Sequence, residues 1–467
     1  MAWGLASPVG ASPDEDFHLV STWCGNGLRD GVCEVGTDST SRRVSSVLPN
    51  AACFAFDSTT SAACAASASV DSEGELVVSS RGNFSGDYPP VFYSVMNLFV
   101  GDDIPFSVVV MRWVNAALFV LMIAATYVAS APGLRRALLL GVAVTVVPLG
   151  MFIVPSINPS SWAVLSAATL AVSVLGYLTT EDRPRRLVLG ALAAISLLIG
   201  AGARADAAMY AVIAVGAALL LAVRLSRTSL RRAIYPCVLA VLAVLAYLSA
   251  GQSSALGGGP GKAFDIGTFA SVLIDVPILW VGSVGMWGLG WLDTTMPAVV
   301  WVVAFGLLAA TLFAGLAKMA VRQGLAVAAV GLAVWVVPAY VQYLSGTAVG
   351  SNVQPRYILP LLTLLAVITL VRADGKAFDL GTGQRWVIVG GLAGANAVAL
   401  HFNLRRYVTG SDLVSLNLDA GREWWWAALP VSPLGVWAVG ALAFAGGLIL
   451  LTRELTIASP AQTQIRE

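Results

Sequence analysis

A series of long apolar stretches limits the folds that this chain can adopt. Each stretch is close to the ~20 residues that cross a bilayer as a helix. Only 11% of its 467 residues are charged, whereas roughly a quarter are charged in soluble domains. The mean hydropathy is +0.80. The sequence therefore predicts an all-α, polytopic integral membrane protein in contact with a lipid bilayer. It contains no basic patch with interleaved aromatic residues, so nucleic acid is not expected as a partner.

Eleven spanning helices are predicted, at 107–130, 137–154, 160–179, 187–203, 207–223, 233–250, 297–317, 323–344, 357–371, 386–403 and 432–452. The residues before them differ in composition, because they hold 13 of the 26 acidic residues but only 4 of the 27 basic ones. We therefore expect an acidic, polar region at 1–106, a membrane domain at 107–453 and a short tail at 454–467.

Four of the five cysteines fall in the acidic region, and neither short-range pair has the C-x-x-C spacing that is typical of zinc sites. Disulfides are therefore favoured over zinc, and disulfides form in oxidising compartments outside the cytoplasm. Three pairings of four cysteines are possible. The preferred pairing closes the shortest loops, joining Cys24 to Cys33 and Cys53 to Cys64.

The distribution of basic residues agrees with an extracytoplasmic position for residues 1–106. With that start, the inner loops and the tail hold 16 Lys or Arg residues, against 6 in the outer loops that follow residue 106. This asymmetry follows the positive-inside rule for cytoplasmic loops. The tail at 454–467 is accordingly expected in the cytoplasm.

One further apolar segment, at 269–295, is also a candidate for crossing the membrane. It contains Asp275, Pro277 and several glycines, which suit a re-entrant or surface-lying element better than a continuous helix. We therefore expect this segment to stay on the outer side.

The first residues, MAWGLASPVGA, resemble the end of a spanning helix. We expect that the start codon has been assigned too late, that residues 1–12 end a first helix, and that the complete protein has twelve spans. A signal peptide is the weaker alternative, because no charged region precedes an apolar core.

A charged cluster, SPDEDFH, follows at residues 12–18. If a helix ends near Ser12, Asp14 and Glu15 lie where the chain leaves the lipid, and partial desolvation there raises the pKa of a carboxyl group. Either residue could act as a general base or ligate a divalent metal cation. His18 could orient a carboxylate or hold a proton. The alternatives are a solvated helix-capping turn and, for His18, a hydrogen bond within the loop.

Five short motifs occur in order along most of the chain: SPDEDFH (12–18), YPPVFY (88–93), INPSSW (157–162), GWLDTTMP (290–297) and QPRYILPLL (354–362). Together they resemble a bacterial membrane family known as domain-of-unknown-function family 2142, which is itself similar to the GT-C glycosyltransferases. The resemblance implies a GT-C-like helical bundle in the bacterial cytoplasmic membrane. It also implies inverting transfer of a sugar from a polyprenyl-phosphate donor to an extracytoplasmic glycan or glycolipid of the cell envelope.

Such a transfer needs help for the departing phosphate, and Arg356 is the first candidate. It lies beside Tyr357 at the outer start of the predicted span 357–371, where a guanidinium can bind phosphate oxygens in bidentate fashion. Arg204 and Asp206, at another outer helix boundary, are further candidates for substrate binding. The alternatives are an interfacial anchor for Arg356 and a simple ion pair for Arg204 and Asp206. Arg112, inside the first predicted span, is expected to face the bundle toward an acid.

Four other residues are candidates for substrate contacts. Tyr88 is expected to begin an interfacial helix. Asn158 lies in a very short outer turn, where the alternative is a turn-forming role before proline. Trp291 could stack on a sugar, although tryptophan is also common at bilayer interfaces. Asp293 lies close to it in the glycine-rich segment.

Nucleotide-binding loops and the common hydrolase motifs do not occur in a fitting context. Their absence argues against nucleotide-driven transport and several classes of hydrolase. One alternative is a transporter or flippase of lipid-linked envelope precursors, although transporters carry charged or discontinuous elements near the membrane midplane. The other is a non-catalytic envelope-assembly protein, which predicts that the carboxylates can be replaced without loss.

Overall fold

The computed structural model describes residues 1–65, 75–251, 265–317, 319–351, 353–372 and 378–456. Helices account for most of them, and three short strands lie before residue 80. Within these residues, nine helices are long and apolar enough to cross a membrane. The fold is therefore the predicted all-helical polytopic one. Residues 457–467 of the predicted tail, and residues 318 and 373–377 of two predicted inner loops, lie outside the described residues.

The region before the first long helix combines short helices with one small sheet. Its elements are α1 (Ala2–Leu5), α2 (Glu15–Trp23), β1 (Cys33–Val35), β2 (Arg42–Ser45), α3 (Val47–Asn50), β3 (Leu76–Ser79) and α4 (Val91–Asn97). The antiparallel sheet has the order β1-β2-β3, with Cys33 opposite Val44 and Arg42 opposite Ser79. Val44 packs with Trp23 and Phe92 in a core shared with the membrane helices.

Two disulfides hold this region together. Cys24, directly after α2, is bonded to Cys33 in β1, and Cys53 is bonded to Cys64. The shortest-loop pairing is therefore confirmed. The zinc alternative is wrong, because all four sulfurs form disulfide bonds.

The membrane domain follows as α5 (Ile104–Ala129), α6 (Pro132–Val146), α7 (Leu149–Ile153), α8 (Ser160–Thr179), α9 (Arg183–Ala201), α10 (Ala205–Ala222), α11 (Arg227–Ser249), α12 (Ile266–Asp275), α13 (Pro277–Gly282), α14 (Ala298–Gly315), α15 (Val321–Ser345), α16 (Pro355–Leu370), α17 (Thr382–Val408) and α18 (Pro433–Thr456). Asp103 caps α5 by accepting a hydrogen bond from the Phe106 amide at 2.9 Å. The first long helix thus begins three residues before the first predicted span, 107–130.

Two helices, α8 and α16, form the centre of the bundle. The first packs against α9 and α10, and the second against α6, α8 and α15. Nearly all of their residues are buried, so their apolar side chains contact protein rather than lipid. Both helices begin at the end of the bundle that contacts the region before α5, and we call this the capped end.

Two of the eleven predicted spans do not form a helix long enough to be one of the nine. The segment at 137–154 is divided at Pro148 into α6 and α7, because proline cannot donate a helical hydrogen bond. The segment at 357–371 forms α16, which has 16 residues. Such a helix measures about 24 Å, less than the ~30 Å hydrocarbon core. The other nine predicted spans coincide with the nine long helices.

The ambiguous segment at 269–295 is broken into short pieces. Pro277 separates α12 from α13, and a turn closed by pairing between Leu289 and Thr294 follows. Helix α12 packs against α15, where the Trp335 indole donates to the Leu273 carbonyl at 2.6 Å. The proline and the glycines thus interrupt the segment as expected, and its outer position stays a prediction.

Candidate functional site

The stretch from Gly4 to Pro13 is largely buried against the membrane helices, and remote side chains bind its carbonyl oxygens. Arg112 of α5 donates to three of them, those of Gly4, Ser7 and Pro8. Further donors are Trp426 to Leu5, Asn403 to Ala6, Trp291 to Gly10, Tyr407 to Ala11 and Asn158 to Pro13. Buried carbonyl groups need such partners. This network therefore determines the path of the chain up to Asp14.

Glu15 begins α2 with a buried carboxylate. Arg112 donates to both of its oxygens at 3.1 Å, and the Ser12 amide donates to Oε2 at 3.0 Å. The Arg112 and Glu15 side chains are 2% and 0% exposed. The expectation that Arg112 faces an acid inside the bundle is confirmed. Because both oxygens of Glu15 are engaged away from solvent, the geometry favours an anchoring role and leaves Asp14 as the candidate base.

Asp14 lies directly before α2, and its side chain is 39% exposed. Its backbone has a left-handed φ of +58°, which is uncommon for a residue other than glycine. One carboxylate oxygen accepts a hydrogen bond from Arg356 at 2.5 Å, and the other accepts one from Arg81 at 3.2 Å. Asp14 therefore connects a buried guanidinium at the start of α16 with a half-exposed one after β3.

The ring of Tyr357 lies between two guanidinium groups. Arg204 is 4.5 Å from its centroid and Arg356 is 4.8 Å from it. Arg356 also donates to the Tyr357 hydroxyl at 2.8 Å. Arg204 forms a bidentate pair with Asp206, with both distances at 2.8 Å, as the ion-pair alternative predicts. Cation–π contact with the Tyr357 ring therefore stabilises both guanidinium groups where they lie.

Tyr88 lies beside the same cluster. Its ring centroid is 5.6 Å from the Arg204 guanidinium and 5.5 Å from the His18 ring. The side chain of Asn83 holds the Tyr88 backbone through two hydrogen bonds, and the predicted helix follows as α4. Burial raises the pKa of Tyr88. Its hydroxyl is therefore protonated at neutral pH and can donate a hydrogen bond.

The charges around Asp14 set its protonation state. Burial is the largest single influence and raises the pKa of Asp14, but the neighbouring groups, Arg356 foremost, together outweigh it, and the pKa lies below its ordinary value. Position at the membrane edge alone predicts a raised pKa. That expectation is wrong here, because the nearby arginines compensate for burial. Asp14 is ionised at neutral pH, as a proton acceptor must be.

His18 pairs with a tyrosine rather than with a carboxylate. Its Nδ1 is 2.9 Å from the Tyr93 hydroxyl, and the two rings stack. The side chain is 1% exposed, and burial lowers its pKa to about 3. A neutral, buried imidazole of this kind matches the hydrogen-bonding alternative for His18.

Asn158 and Trp291 bind backbone groups of the same stretch. The Asn158 amide donates to the Pro13 carbonyl at 2.9 Å and accepts from the Ser160 amide at the start of α8. The Trp291 indole donates to the Gly10 carbonyl at 2.9 Å, and its ring meets Phe56 edge to face. Both residues therefore position the chain that leads to Asp14.

Asp293 belongs to a second ion pair, with Arg406 at 3.0 Å. Arg406 also donates to the carbonyls of Phe54, Asp57 and Thr60 in the loop closed by the Cys53–Cys64 disulfide. The predicted residue Asp293 is thus part of the contact between that loop and α17, and it pairs with a different arginine from Asp14.

The sequence analysis did not find Arg81, which pairs with both Asp14 and Asp16. It follows β3, and the sheet brings it to a carboxylate 67 residues earlier in the chain. The available signal was compositional, since Arg81 is one of only 4 basic residues in the first 106. Its partner depends on the path of the sheet, which short-range patterns do not show.

The surroundings of Asp14 and Glu15 do not fit a divalent cation. Both oxygens of each carboxylate accept hydrogen bonds from arginine, and guanidinium groups at that distance repel a metal ion. Among the residues that the structure describes, no group of three or more His, Cys, Asp or Glu side chains could hold a metal. The geometry therefore favours proton transfer over metal ligation as the role of Asp14.

Comparison with known proteins gives one match. A family model described as predicted membrane protein (DUF2142) matches residues 1–365 of the 467. No curated protein and no solved structure matches the chain. The matched range contains all five sequence motifs and the whole cluster from Asp14 to Tyr357. The chain therefore belongs to the DUF2142 family of predicted membrane proteins.

Proposed function

We propose that this protein is an inverting membrane glycosyltransferase. It takes a sugar from a polyprenyl-phosphate donor and transfers it to a cell-envelope acceptor on the outer face of a bacterial cytoplasmic membrane. The observation that carries the proposal is the contact between Asp14 and Arg356, which joins a partly exposed carboxylate to a buried guanidinium. A base for the acceptor and a cation for the leaving phosphate are the two groups that this chemistry needs.

In the proposed reaction, Asp14 accepts the proton of the acceptor hydroxyl. The acceptor oxygen bonds to the anomeric carbon of the sugar on the face opposite the leaving group. The bond between that carbon and the phosphate oxygen breaks, and its electron pair leaves with the phosphate. The products are an inverted glycoside and polyprenyl phosphate, and Asp14 returns its proton to solvent. Arg356 stabilises the charge that develops on the phosphate.

The neighbours of Arg356 support this role. Its Nε and Nη1 are buried without a hydrogen-bond partner, and buried donors are seldom left in that state. Both arginines have a carboxylate partner, but Arg204 binds Asp206 through Nε and Nη2, whereas Arg356 contacts Asp14 through Nη2 alone. Arg356 is therefore the better phosphate ligand of the two. Tyr357 acts as a positioning residue, because its ring contacts both guanidinium groups.

Complementation of a deletion strain tests the proposal, with envelope glycans measured by mass spectrometry. Asp14→Asn and Arg356→Gln should each lower the transferred sugar by about 100-fold or more at matched membrane abundance. Asp87→Asn, a change of the same chemistry at an exposed site of the acidic region, should restore the full profile. The mass missing in the deletion strain identifies the sugar.

Restoration of the profile by Asp14→Asn would show that the carboxylate is not the base and would overturn the mechanism. A deletion strain that accumulates a complete lipid-linked precursor on the cytoplasmic face would instead support the transporter alternative. The two outcomes differ in the species that accumulates, so the same mass spectra separate them.

A further inference from the structure

One nitrogen of the Arg356 guanidinium donates two hydrogen bonds, and the other two nitrogens have no hydrogen-bond partner. Its Nη2 donates to Asp14 at 2.5 Å and to the Tyr357 hydroxyl at 2.8 Å. Its Nε and Nη1 are buried and have no hydrogen-bond partner. The side chain is 3% exposed, so these donors lie inside the protein, where an unmade hydrogen bond costs free energy.

A guanidinium has two edges that can bind an anion in bidentate fashion, and both of them include Nη2. This protein contains both arrangements. Arg204 binds Asp206 through Nε and Nη2, and Arg232 binds Glu181 through Nη1 and Nη2. The Nε and Nη1 hydrogens do not share an open edge. A bidentate anion on Arg356 must therefore use Nη2, which Asp14 already contacts.

We propose that Asp14 and a phosphate group exchange on Arg356. The carboxylate binds Nη2 in the ligand-free protein, and the phosphate of the substrate displaces it. This inference rests on the proposed function and extends it, because the base and the leaving group compete for one nitrogen. The ligand chemistry is a phosphate anion, carried by a lipid headgroup or by free phosphate.

Arg81 provides a position for the displaced carboxylate. It already donates to the other oxygen of Asp14 at 3.2 Å, and its side chain is 47% exposed. Asp14 can therefore leave Arg356 and keep a cationic partner at its partly exposed position. Arg81 also pairs with Asp16, so its own position does not depend on Asp14.

The exchange couples substrate binding to proton transfer. Burial alone would raise the pKa of Asp14, yet the neighbouring groups, of which Arg356 contributes most, keep it below its ordinary value in the ligand-free protein. Displacement by phosphate removes a cation from Asp14 and places an anion nearby, and both changes raise the pKa. Asp14 is thus a stronger base when the donor is bound, which confines proton transfer to the complex.

Equilibrium binding of two phosphate probes to the full chain in lipid nanodiscs tests the exchange. Dodecyl phosphate and inorganic phosphate are titrated by calorimetry at constant pH and ionic strength. Asp14→Asn removes the competing charge and should tighten binding by about tenfold or more. Asp16→Asn removes the same charge from the adjacent pair with Arg81, and it should change affinity by no more than about threefold. Arg356→Gln should abolish binding.

Equal tightening by Asp14→Asn and Asp16→Asn would reveal a general effect of charge and would overturn the exchange. Unchanged affinity in Asp14→Asn would overturn it as well. Infrared difference spectra provide an independent measurement on the unaltered protein. Probe binding should shift a carboxylate stretching band that is missing from Asp14→Asn, and a spectrum without that shift contradicts the displacement.

The two probes also identify the source of the phosphate. Tighter binding of dodecyl phosphate than of inorganic phosphate would identify the ligand as a lipid headgroup. Equal affinity for both probes would identify it as free phosphate. The proposed function and the exchange are tested by different measurements, sugar transfer and probe binding. Tightened binding without any sugar transfer supports the exchange alone, whereas sugar transfer with unchanged probe affinity in Asp14→Asn supports the transferase and overturns the exchange.

Discussion

Asp14 and Glu15 are neighbours in the chain but lie in different electrostatic surroundings. Glu15 is paired with Arg112 inside the protein, whereas Asp14 is partly exposed and contacts two arginines from distant segments. Sequence analysis identified the acidic cluster and Arg356, since short motifs mark both. It did not distinguish the two carboxylates, because their partners come from α5, α16 and the segment after β3.

Replacement of Glu15 should therefore affect stability first. Glu15→Gln leaves the Arg112 charge buried without its counterion, which typically costs about 3–5 kcal/mol. We expect a lower thermal unfolding midpoint in detergent and reduced membrane abundance. Asp14→Asn is the matched control, and it should lose activity at nearly normal abundance. A stable but inactive Glu15→Gln variant would contradict this assignment.

His18 should make the protein sensitive to mild acid. Burial lowers its folded pKa to about 3 from an ordinary value of 6.5, so the unfolded chain binds more protons between those pH values. The stabilisation from neutral His18 is complete above pH 6.5 and decreases as the pH falls toward 3. As the pH is lowered from about 7.5 to about 5.5, the free energy of unfolding should therefore decrease by up to ~1.4 kcal/mol per pH unit. The thermal unfolding midpoint should decrease with it.

The His18→Gln variant should show a weaker pH dependence over that range. His401→Gln, at the only other histidine, serves as the control and should keep most of the dependence. Identical pH profiles for the unaltered protein and His18→Gln would show that His18 does not titrate on unfolding.

The contact between α6 and α16 supports the site, because Arg356 lies in the first turn of α16. The helices approach closely at Gly141, where an added Cβ would lie 2.8 Å from Val367 Cγ2 and 3.0 Å from the Val367 amide nitrogen. A backbone atom cannot move aside as a flexible side chain can. The small residue is therefore required for this helix pair.

Gly141→Ala should destabilise the protein by about 1–3 kcal/mol, because overpacking forces the two helices apart. Gly216→Ala in α10 is the matched control, since a Cβ there meets nothing within 4 Å. That change should be neutral or slightly stabilising, as alanine is the better helix former. Thermal unfolding midpoints of both variants, measured in the same detergent, compare the effects. Equal midpoints would contradict the close approach of α6 and α16.

Sequence patterns predicted the helices correctly where length and hydropathy are sufficient to identify them. Nine predicted spans coincide with long helices, and Pro277 interrupts the ambiguous segment. The pattern did not predict that 137–154 divides at Pro148, or that α16 is surrounded by other helices. An apolar run looks the same whether it faces lipid or protein, so hydropathy alone does not separate these cases.

For the molecule as a whole, the distribution of Lys and Arg residues among the loops follows the positive-inside rule and predicts that residues 1–106 face the cell exterior. In a Cys237→Ala background, a membrane-impermeant maleimide should label Ser39→Cys on intact cells. Thr228→Cys, in the first turn of α11, should react only after permeabilisation. Both positions are exposed, so accessibility to the reagent depends on the side of the membrane. Labelling of Thr228→Cys on intact cells would reverse the predicted topology.

The region before α5 is bound to the bundle at many points. Side chains of α5 and α17 and of the segments at 290–297 and 424–426 bind the carbonyls of residues 4–10. Arg406 of α17 binds the loop closed by Cys53 and Cys64. The region and the bundle therefore form one structure at the capped end, and Asp14 lies in their contact.

The amino-acid sequence is enough to predict the helical class, most of the spans, the acidic region and a preferred pairing of its cysteines. These follow from local properties, because a bilayer requires long apolar segments and neighbouring cysteines close short loops. Which carboxylate is partly exposed, and which is buried in an ion pair, depends on the folded arrangement of distant segments. The arginine partners of Glu15 and Asp14 are 97, 67 and 342 residues away, and ionic contacts act through space with no periodic trace along the chain.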